Sequence, residues 1–344
     1  MSRFIEVDIT DQTKPVSQAG FGTAFLLEPV SSSADEYDYT EVRSVDDIPE
    51  AAGELAEDMA NAYLSQSPTA GVINMQGVHV EETDGTATDI SDALTQVYEE
   101  NDDWYGLLLA SREQSEIEEA ADWTPANKLF ITQPVEPDWE ALSSYDLAGY
   151  DNTGIFPSVE EQEVDAAIMA RMFATDPGSA TWKWKTLNGV TSSGYTNTEI
   201  SSMLSPDEEE PYMNPVIYEK GVYYTAEGKT GDGSFLDITR AIDWMEARIT
   251  ENIFQLFINT DKVPYTDDGI AQVVGRLEEI LRVAVDREVI AVDSDGVPLY
   301  ELDIPSRTDI PTNTRANRIL PDVDFEATVA GAVHSVEVAG VLKV

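Results

Sequence analysis

The chain contains no cysteine, which excludes disulfide bonds, thiolate nucleophiles and every cysteine-ligated metal centre. Histidine is almost as scarce, with two among 344 residues. Neither His79 nor His334 has a second histidine at metal-ligand spacing, so no metal and no cofactor is expected. Cations are few: 20 Lys and Arg stand against 66 Asp and Glu, a net charge of −46. A surface of that sign repels nucleic acid and anionic membranes, which are bound through basic groups. No window approaches the roughly 18 apolar residues of a membrane span, and the opening Met-Ser-Arg-Phe-Ile-Glu-Val lacks the apolar core of a signal peptide. The expectation is a soluble protein made in the cytoplasm, with neither nucleic acid nor membrane as partner.

Hydrophobic residues make up 42% of the chain, enough to build cores. The carboxylates are spread along the whole length, the longest run being Asp207 to Glu210. Evenly distributed acid with few lysines is the pattern of adaptation to molar salt, where the Debye length falls to roughly 3 Å and self-repulsion is screened. The expected source is an extreme halophile or one of its viruses.

Strand and helix signals alternate through the first half. Phe21–Leu27 and Gly71–Val80 read as strands, and between them a polar loop, Ser31–Asp38, leads to Glu41–Val45. Helices are expected from Asp46-Asp47-Ile48-Pro49 onward, with Ala51, Leu55, Met59 and Tyr63 on one face, and over Asp89–Glu99, Glu116–Trp123 and Glu160–Phe173. The continuous apolar run Trp104–Ala110 and the segment Lys128–Gln133 suit strands covered on both faces. This order implies an α/β fold, a mostly parallel sheet with flanking helices. From 180 to 230 the character changes. Thr181–Thr186 alternates with period two, Val216–Ala226 is rich in tyrosine and valine, and Gly, Asn, Ser and Pro fill the space between, so a β-hairpin-rich segment with loops is expected.

Beyond Gly231 two amphipathic helices are expected. Ser234-Phe-Leu-Asp237 has the form of a capping box, and Ile238, Ala241, Ile242, Met245, Ile249, Ile253 and Leu256 trace a face to about Asn259. Thr266 caps the second helix, with Tyr265 and Ile270 as a hydrophobic staple and Val273, Val274, Leu277 and Leu281 continuing the stripe. Both chain ends alternate apolar and polar residues: Phe4, Ile5, Val7 and Ile9 at one, Val336, Val338, Leu342 and Val344 at the other. Strands of this kind at both ends need partners. The implied layout is an N-terminal arm and linker (1–20), an α/β domain (21–178), a β-rich segment (179–230), a two-helix domain (231–324) and a C-terminal strand arm (325–344).

Catalytic templates fail. Gly228-Lys229-Thr230 ends like a phosphate loop, but Tyr223 stands where the first glycine belongs, and a hairpin turn is expected instead. Asp293-Ser-Asp295-Gly296 begins like a calcium loop but lacks the later ligand, so a tight turn between strands is expected. Both histidines lie in strand-like segments and are read as solvent-facing or structurally bonded. No acid–base pair stands out among so many carboxylates. Trp104 and Trp244 suit a core, while Trp182 and Trp184 belong to the hairpin region.

The order of elements resembles the contractile-tail sheath proteins of myoviruses. The likeness is carried by Gly233-Ser-Phe-Leu-Asp237 leading into Asp243-Trp244, by Val263-Pro-Tyr-Thr266 with Gly269-Ile270, and by Arg315 and Arg318 ahead of Phe325–His334. Phe21-Gly-Thr23 and Trp104-Tyr-Gly106 add to it upstream. The resemblance implies a non-enzymatic subunit that stacks with itself in hexameric rings around a tail tube protein and meets baseplate and tail terminator proteins in the virion. It implies that residues 231–324 form the sheath-core domain and that the terminal arms add strands to neighbouring subunits. Arg315 and Arg318 are candidate contacts to a neighbour's acidic surface. The chain is short for the family and far more acidic. Alternatives are another virion structural protein (tube, baseplate or capsid component), or a halophilic carboxylate-based hydrolase or sugar-binding protein.

Overall fold

The computed structural model describes residues 20–80, 82, 83, 86, 87 and 89–335. They form two compact units. The first is an α/β unit of residues 20–244, with Arg287–Val289 and residues 329–335; the second, the C-terminal unit, comprises Met245–Asp286 and Ile290–Thr328.

In the α/β unit, strands β1 (Ala24–Val30), β2 (Tyr37–Val42) and β3 (Ile73–His79) are interleaved with helix α1 (Glu54–Leu64). A short hairpin, β4 (Glu82–Thr83) and β5 (Thr86–Ala87), precedes α2 (Ile90–Glu100), β6 (Gly106–Leu109), α3 (Gln114–Trp123) and β7 (Leu129–Thr132). Then come α4 (Trp139–Leu142), β8 (Thr153–Ile155) and α5 (Val164–Phe173). The six-stranded sheet has the order β2-β3-β1-β6-β7-β8, parallel throughout except for the antiparallel edge strand β2. The mixed α/β fold with a mostly parallel sheet is therefore as the sequence implies. β6 and β7 are buried at every position, as strands covered on both faces must be. Phe25, Leu27, Leu107, Leu109 and Phe130 pack with Ile90, Leu94 and Val97 of α2 and Ile117 and Ala120 of α3. The alternate residues of the same strands lie on the side of α1 and α5, two helices that pack on each other. α5 is buried at every position but Arg171, the mark of a core helix.

Helix starts differ from expectation where a local motif intervenes. Ser44 and Asp47 close a capping box on a single 3₁₀ turn, Val45–Asp47, and α1 begins only at Glu54. Gly53 is its N-cap, with its N–H donated to the Glu28 carboxylate at 2.8 Å. Ala51 is consequently exposed and Ala56 takes its place in the core. α5 starts at Val164 because Glu163 adopts φ 48°.

Thr181–Thr186 forms no strand. Trp184 sits at φ 64°, which breaks the extended run and leaves Trp182 buried and Trp184 half-exposed. The segment still bonds to Thr225 through Trp184 N–H and Lys185 carbonyl, both at 3.0 Å. The helix α6 (Asn197–Leu204), capped by the Thr196/Glu199 box, occupies what the sequence suggested was hairpin and loop. β9 (Val216–Glu219) and β10 (Val222–Thr225) do form the expected hairpin. Its turn residues, Lys220 and Gly221, both have positive φ, as a two-residue I′ turn requires.

Two buried cations brace this unit. Lys128 donates to the carbonyl of Asp102 at 2.7 Å and to that of Trp104, with the Trp104 ring 4.5 Å away. Burial pushes its ammonium down to about 8. Arg240, on α7 (Leu236–Asn259), donates to the carbonyls of Met172, Phe21 and Thr175 at 2.9, 2.8 and 3.0 Å. Its guanidinium lies over Phe173, and burial lowers it to about 10.

The expected capping box at the start of α7 does not form. The Ser234 hydroxyl bonds Asp232 at 3.0 Å, and the first helical amides turn to the Phe235 carbonyl. The buried stripe entering α7 is Leu236, Arg240 and Trp244, while Ile242 is exposed.

The C-terminal unit takes the rest of α7, then α8 (Asp267–Asp286), β11 (Tyr300–Asp303), α9 (Thr312–Ala316) and β12 (Asp324–Ala327). The hydroxyl of Thr266 accepts from Gly269 N–H at 3.2 Å, capping α8 as expected. Ile270, Val273, Val274, Leu277 and Leu281 are its buried stripe. Ile270 and Val274 pack with Ile310, and Tyr265, Leu302, Leu320 and Val323 close around them. Asp293–Gly296 makes the tight turn, its carboxylate accepting from Asp295 N–H at 2.9 Å and Val297 N–H at 2.8 Å.

Candidate assembly surfaces

The C-terminal unit carries an apolar groove and an incomplete sheet. The groove, of about 440 Å³, runs between α7 and α8 and is lined by Ile249, Ile253, Phe257, Val273 and Leu277, with Val263, Leu320, Val323 and Phe325 along its rim. It owes its closed end to Gly269. A Cβ there would lie 1.8 Å from the Pro264 carbonyl oxygen, so only glycine lets the 263–265 loop fold onto the first turn of α8. Phe254 and Phe257 are each 53% exposed, a large apolar display beside the groove.

β11 and β12 pair antiparallel, with Tyr300 opposite Ala327, Glu301 opposite Glu326, Leu302 opposite Phe325 and Asp303 opposite Asp324. One face of the ribbon is thus apolar and the other carries four carboxylates in two like-charged pairs. Among the described residues this sheet has two strands only, so each strand keeps one edge of backbone donors and acceptors without a ladder partner.

The candidate residues named from sequence divide in three. Phe4, Ile5, Val7, Ile9, Val336, Val338, Leu342 and Val344 lie outside the described residues. Residues 324–327, at the start of the expected arm of 325–344, pair with β11. Arg315 turns inward to its own unit, donating to the carbonyl of Arg307 at 2.7 Å and the hydroxyl of Thr312 at 3.1 Å. Arg318 is exposed, reaches the groove rim, and meets no carboxylate among the described residues. It ends α9 at φ 61°, with its N–H on the Arg315 carbonyl and that of Ile319 on Thr314, a Schellman motif with arginine where glycine is usual.

His334 lies in no strand; its ring is bonded on both nitrogens, as the structural reading anticipates. Sequence reasoning missed the groove. Its signal was there in the isolated apolar residues of Val263-Pro-Tyr and Leu320-Pro-Asp-Val, which no periodicity connects. Among the described residues no group of three or more His, Asp or Glu side chains is placed to hold a metal ion.

Open strand edges and an exposed apolar groove are thus the features of the C-terminal unit, among the described residues, that could receive a further chain. Residues 236–342 match a family described as E217 tail sheath protein gp31-like, C-terminal domain. Three solved structures share the fold over the whole length. One is the baseplate of the anti-feeding prophage, six-fold symmetrised (TM-score 0.68, 12% identity, covering 100% of this chain and 99% of the other). Another is the helical sheath of the anti-feeding prophage in its contracted state (0.62, 13%, 99% and 98%). The third is the sheath complex of an extracellular contractile injection system, PVC, also contracted (0.66, 10%, 100% and 99%). No curated protein matches. Residues 236–342 thus resemble a tail sheath C-terminal domain, and the chain as a whole shares the fold of contractile sheath and baseplate proteins.

Proposed function

We propose that this chain is the subunit of a viral contractile tail sheath. It stacks as six-membered rings around a tail tube, is held to its neighbours by exchanged terminal strands, and shortens to drive the tube through the host envelope. The observation that carries this reading is the β11/β12 sheet, two-stranded and open on both edges among the described residues and flanked by an apolar groove, within the region that matches the sheath C-terminal domain. The alternating residues Ile5, Val7 and Ile9 at one terminus and Val336 and Val338 at the other fit those edges. Main-chain bonds would supply affinity and the apolar side chains would enter the groove. The remaining partners in this reading are the tube, baseplate and tail terminator proteins, and the site of action is the virion. Contraction draws on energy stored in the lattice, with no catalytic step.

The same reading places the source among viruses of haloarchaea, supported by the net charge of −46 spread over the whole chain. Exposed ion pairs contribute little, about 1 kcal/mol at most, so strand pairing and apolar contact dominate.

The test is a chain ending at Ser335, which leaves β12 intact, compared with the full chain by negative-stain microscopy in molar salt. Full-length protein should form hollow cylinders and the truncated protein only folded monomers. Cylinders from the truncated chain would show that the C-terminal strand is dispensable. Compact particles from both would favour the hydrolase or sugar-binding alternative.

A further inference from the structure

Residues 329–334 return to the α/β unit, where the Ala330 N–H donates to the Val289 carbonyl at 2.9 Å. The segment closes on His334. Its Nδ1 lies 3.0 Å from Glu227 Oε2, and its Nε2 lies 2.9 Å from Thr181 Oγ1. The ring stands edge-on to Phe235, 5.0 Å between centroids. The second Glu227 oxygen accepts from the Lys183 ammonium. His334, Glu227 and Lys183 are all largely shielded from solvent. Asp237, on the first turn of α7, faces the same cluster: burial raises its carboxyl, while His334 and Lys185 pull it down. The Lys229 ammonium lies 5.5 Å from the centroid of the Phe235 ring. Among the described residues, the His334 imidazole carries the side-chain contact by which this segment meets a carboxylate.

Imidazole is the side chain that changes charge between about pH 5 and 8. When charged, it gives Glu227 a charge-assisted bond with both nitrogens as donors. When neutral, one nitrogen must become an acceptor from Thr181, and Glu227 keeps only Lys183 as a cation. We propose that His334 is a proton-operated latch: charged, it holds residues 329–335 on the α/β unit through Glu227, and on losing its proton it lets them go. The segment leads directly into the C-terminal residues, so the latch would set how far from its own subunit the terminal strand begins. That consequence rests on the sheath reading; the latch itself is a property of the single chain and stands or falls without assembly.

The test is hydrogen exchange of the full chain under non-assembling conditions at pH 5.5 and 8.5, corrected for intrinsic exchange, read on the peptide covering 329–335. Wild type should lose about fivefold in protection on going to the higher pH, the difference between a charge-assisted and a neutral hydrogen bond. His334→Gln keeps hydrogen-bonding capacity without the charge, and should be equally unprotected at both pH values. Glu227→Gln should behave likewise, while peptides from β6 stay protected in every variant. Equal protection of wild type at both pH values would overturn the latch. So would a pH step that persists in His334→Gln.

Discussion

The guanidinium of Arg240 donates to the main-chain carbonyl of Met172 at 2.9 Å, so a residue on the first turns of α7 terminates α5. The bonds to Phe21 and Thr175 complete a three-carbonyl cap, and a cation at a helix C-terminus also meets the negative end of its dipole. Replacing Arg240 by Met keeps most of the apolar stem and removes every donor. The carbonyls it leaves are buried, so the loss should be about 3 kcal/mol, measured by urea unfolding in molar salt. A loss below about 1 kcal/mol would mean water replaces the guanidinium.

Lys128 sets a pH dependence of opposite sense to that of most lysines. Its folded value, about 8, lies below the ordinary 10.5 because burial disfavours the charge. Below pH 8 it is charged folded and unfolded alike, and the burial cost is fully present. Between about 8 and 10.5 the unfolded chain holds more protons, so stability rises with pH across that window. Urea midpoints for wild type should climb from pH 8 to 9.5 relative to those of Lys128→Met, which lacks the group. Parallel curves would remove Lys128 as the cause.

Arg318 pays a conformational cost for its place. A side chain in the left-handed region loses roughly 1–2 kcal/mol, part of which glycine recovers against its own greater entropy loss. Arg318→Gly should stabilise the single chain by about 0.5–1 kcal/mol while weakening assembly, if its guanidinium serves a neighbour. Sedimentation and thermal unfolding of the same sample separate the two effects. A stabilised variant that assembles as well as wild type would assign Arg318 to no contact.

The cross-strand pairs Glu301/Glu326 and Asp303/Asp324 place like charges directly opposite, an arrangement that destabilises a ribbon. Glu301→Thr should gain about 0.5 kcal/mol in dilute buffer and nearly nothing in molar salt, where the screening length is roughly 3 Å. Equal gains at both salt concentrations would point to strand propensity rather than charge.

Much of this was legible in the chain. The buried strands β6 and β7 announce themselves as short apolar runs, and α2 and α8 as capped stripes, because each is decided by residues close in sequence. Where reading failed, a single backbone choice or a distant partner overrode the pattern. Trp184 at positive φ ends an alternation that should have been a strand, and Asp232 takes the hydroxyl that would have capped α7. α6 is hidden for a local reason: Thr196 and Glu199 spell out its capping box, but the surrounding Gly, Asn and Ser have the composition of loop. The groove was invisible for another reason. Its walls come from α7, α8 and two loops, and only tertiary structure brings Ile253, Val273 and Leu320 to one surface.

In the proposed assembly, the carboxylate face of β11 and β12 would have a bearing on when the chain polymerises. Glu6 and Asp8 alternate with Ile5, Val7 and Ile9 in the sequence, so in the proposed assembly a strand added with its apolar side to the groove would set further negative charge beside Glu301 and Glu326. Dilution of salt would then act as a brake on each new pairing, and concentrated salt would release it. Ionic strength, more than protein concentration, would decide whether subunits stay single or begin to polymerise.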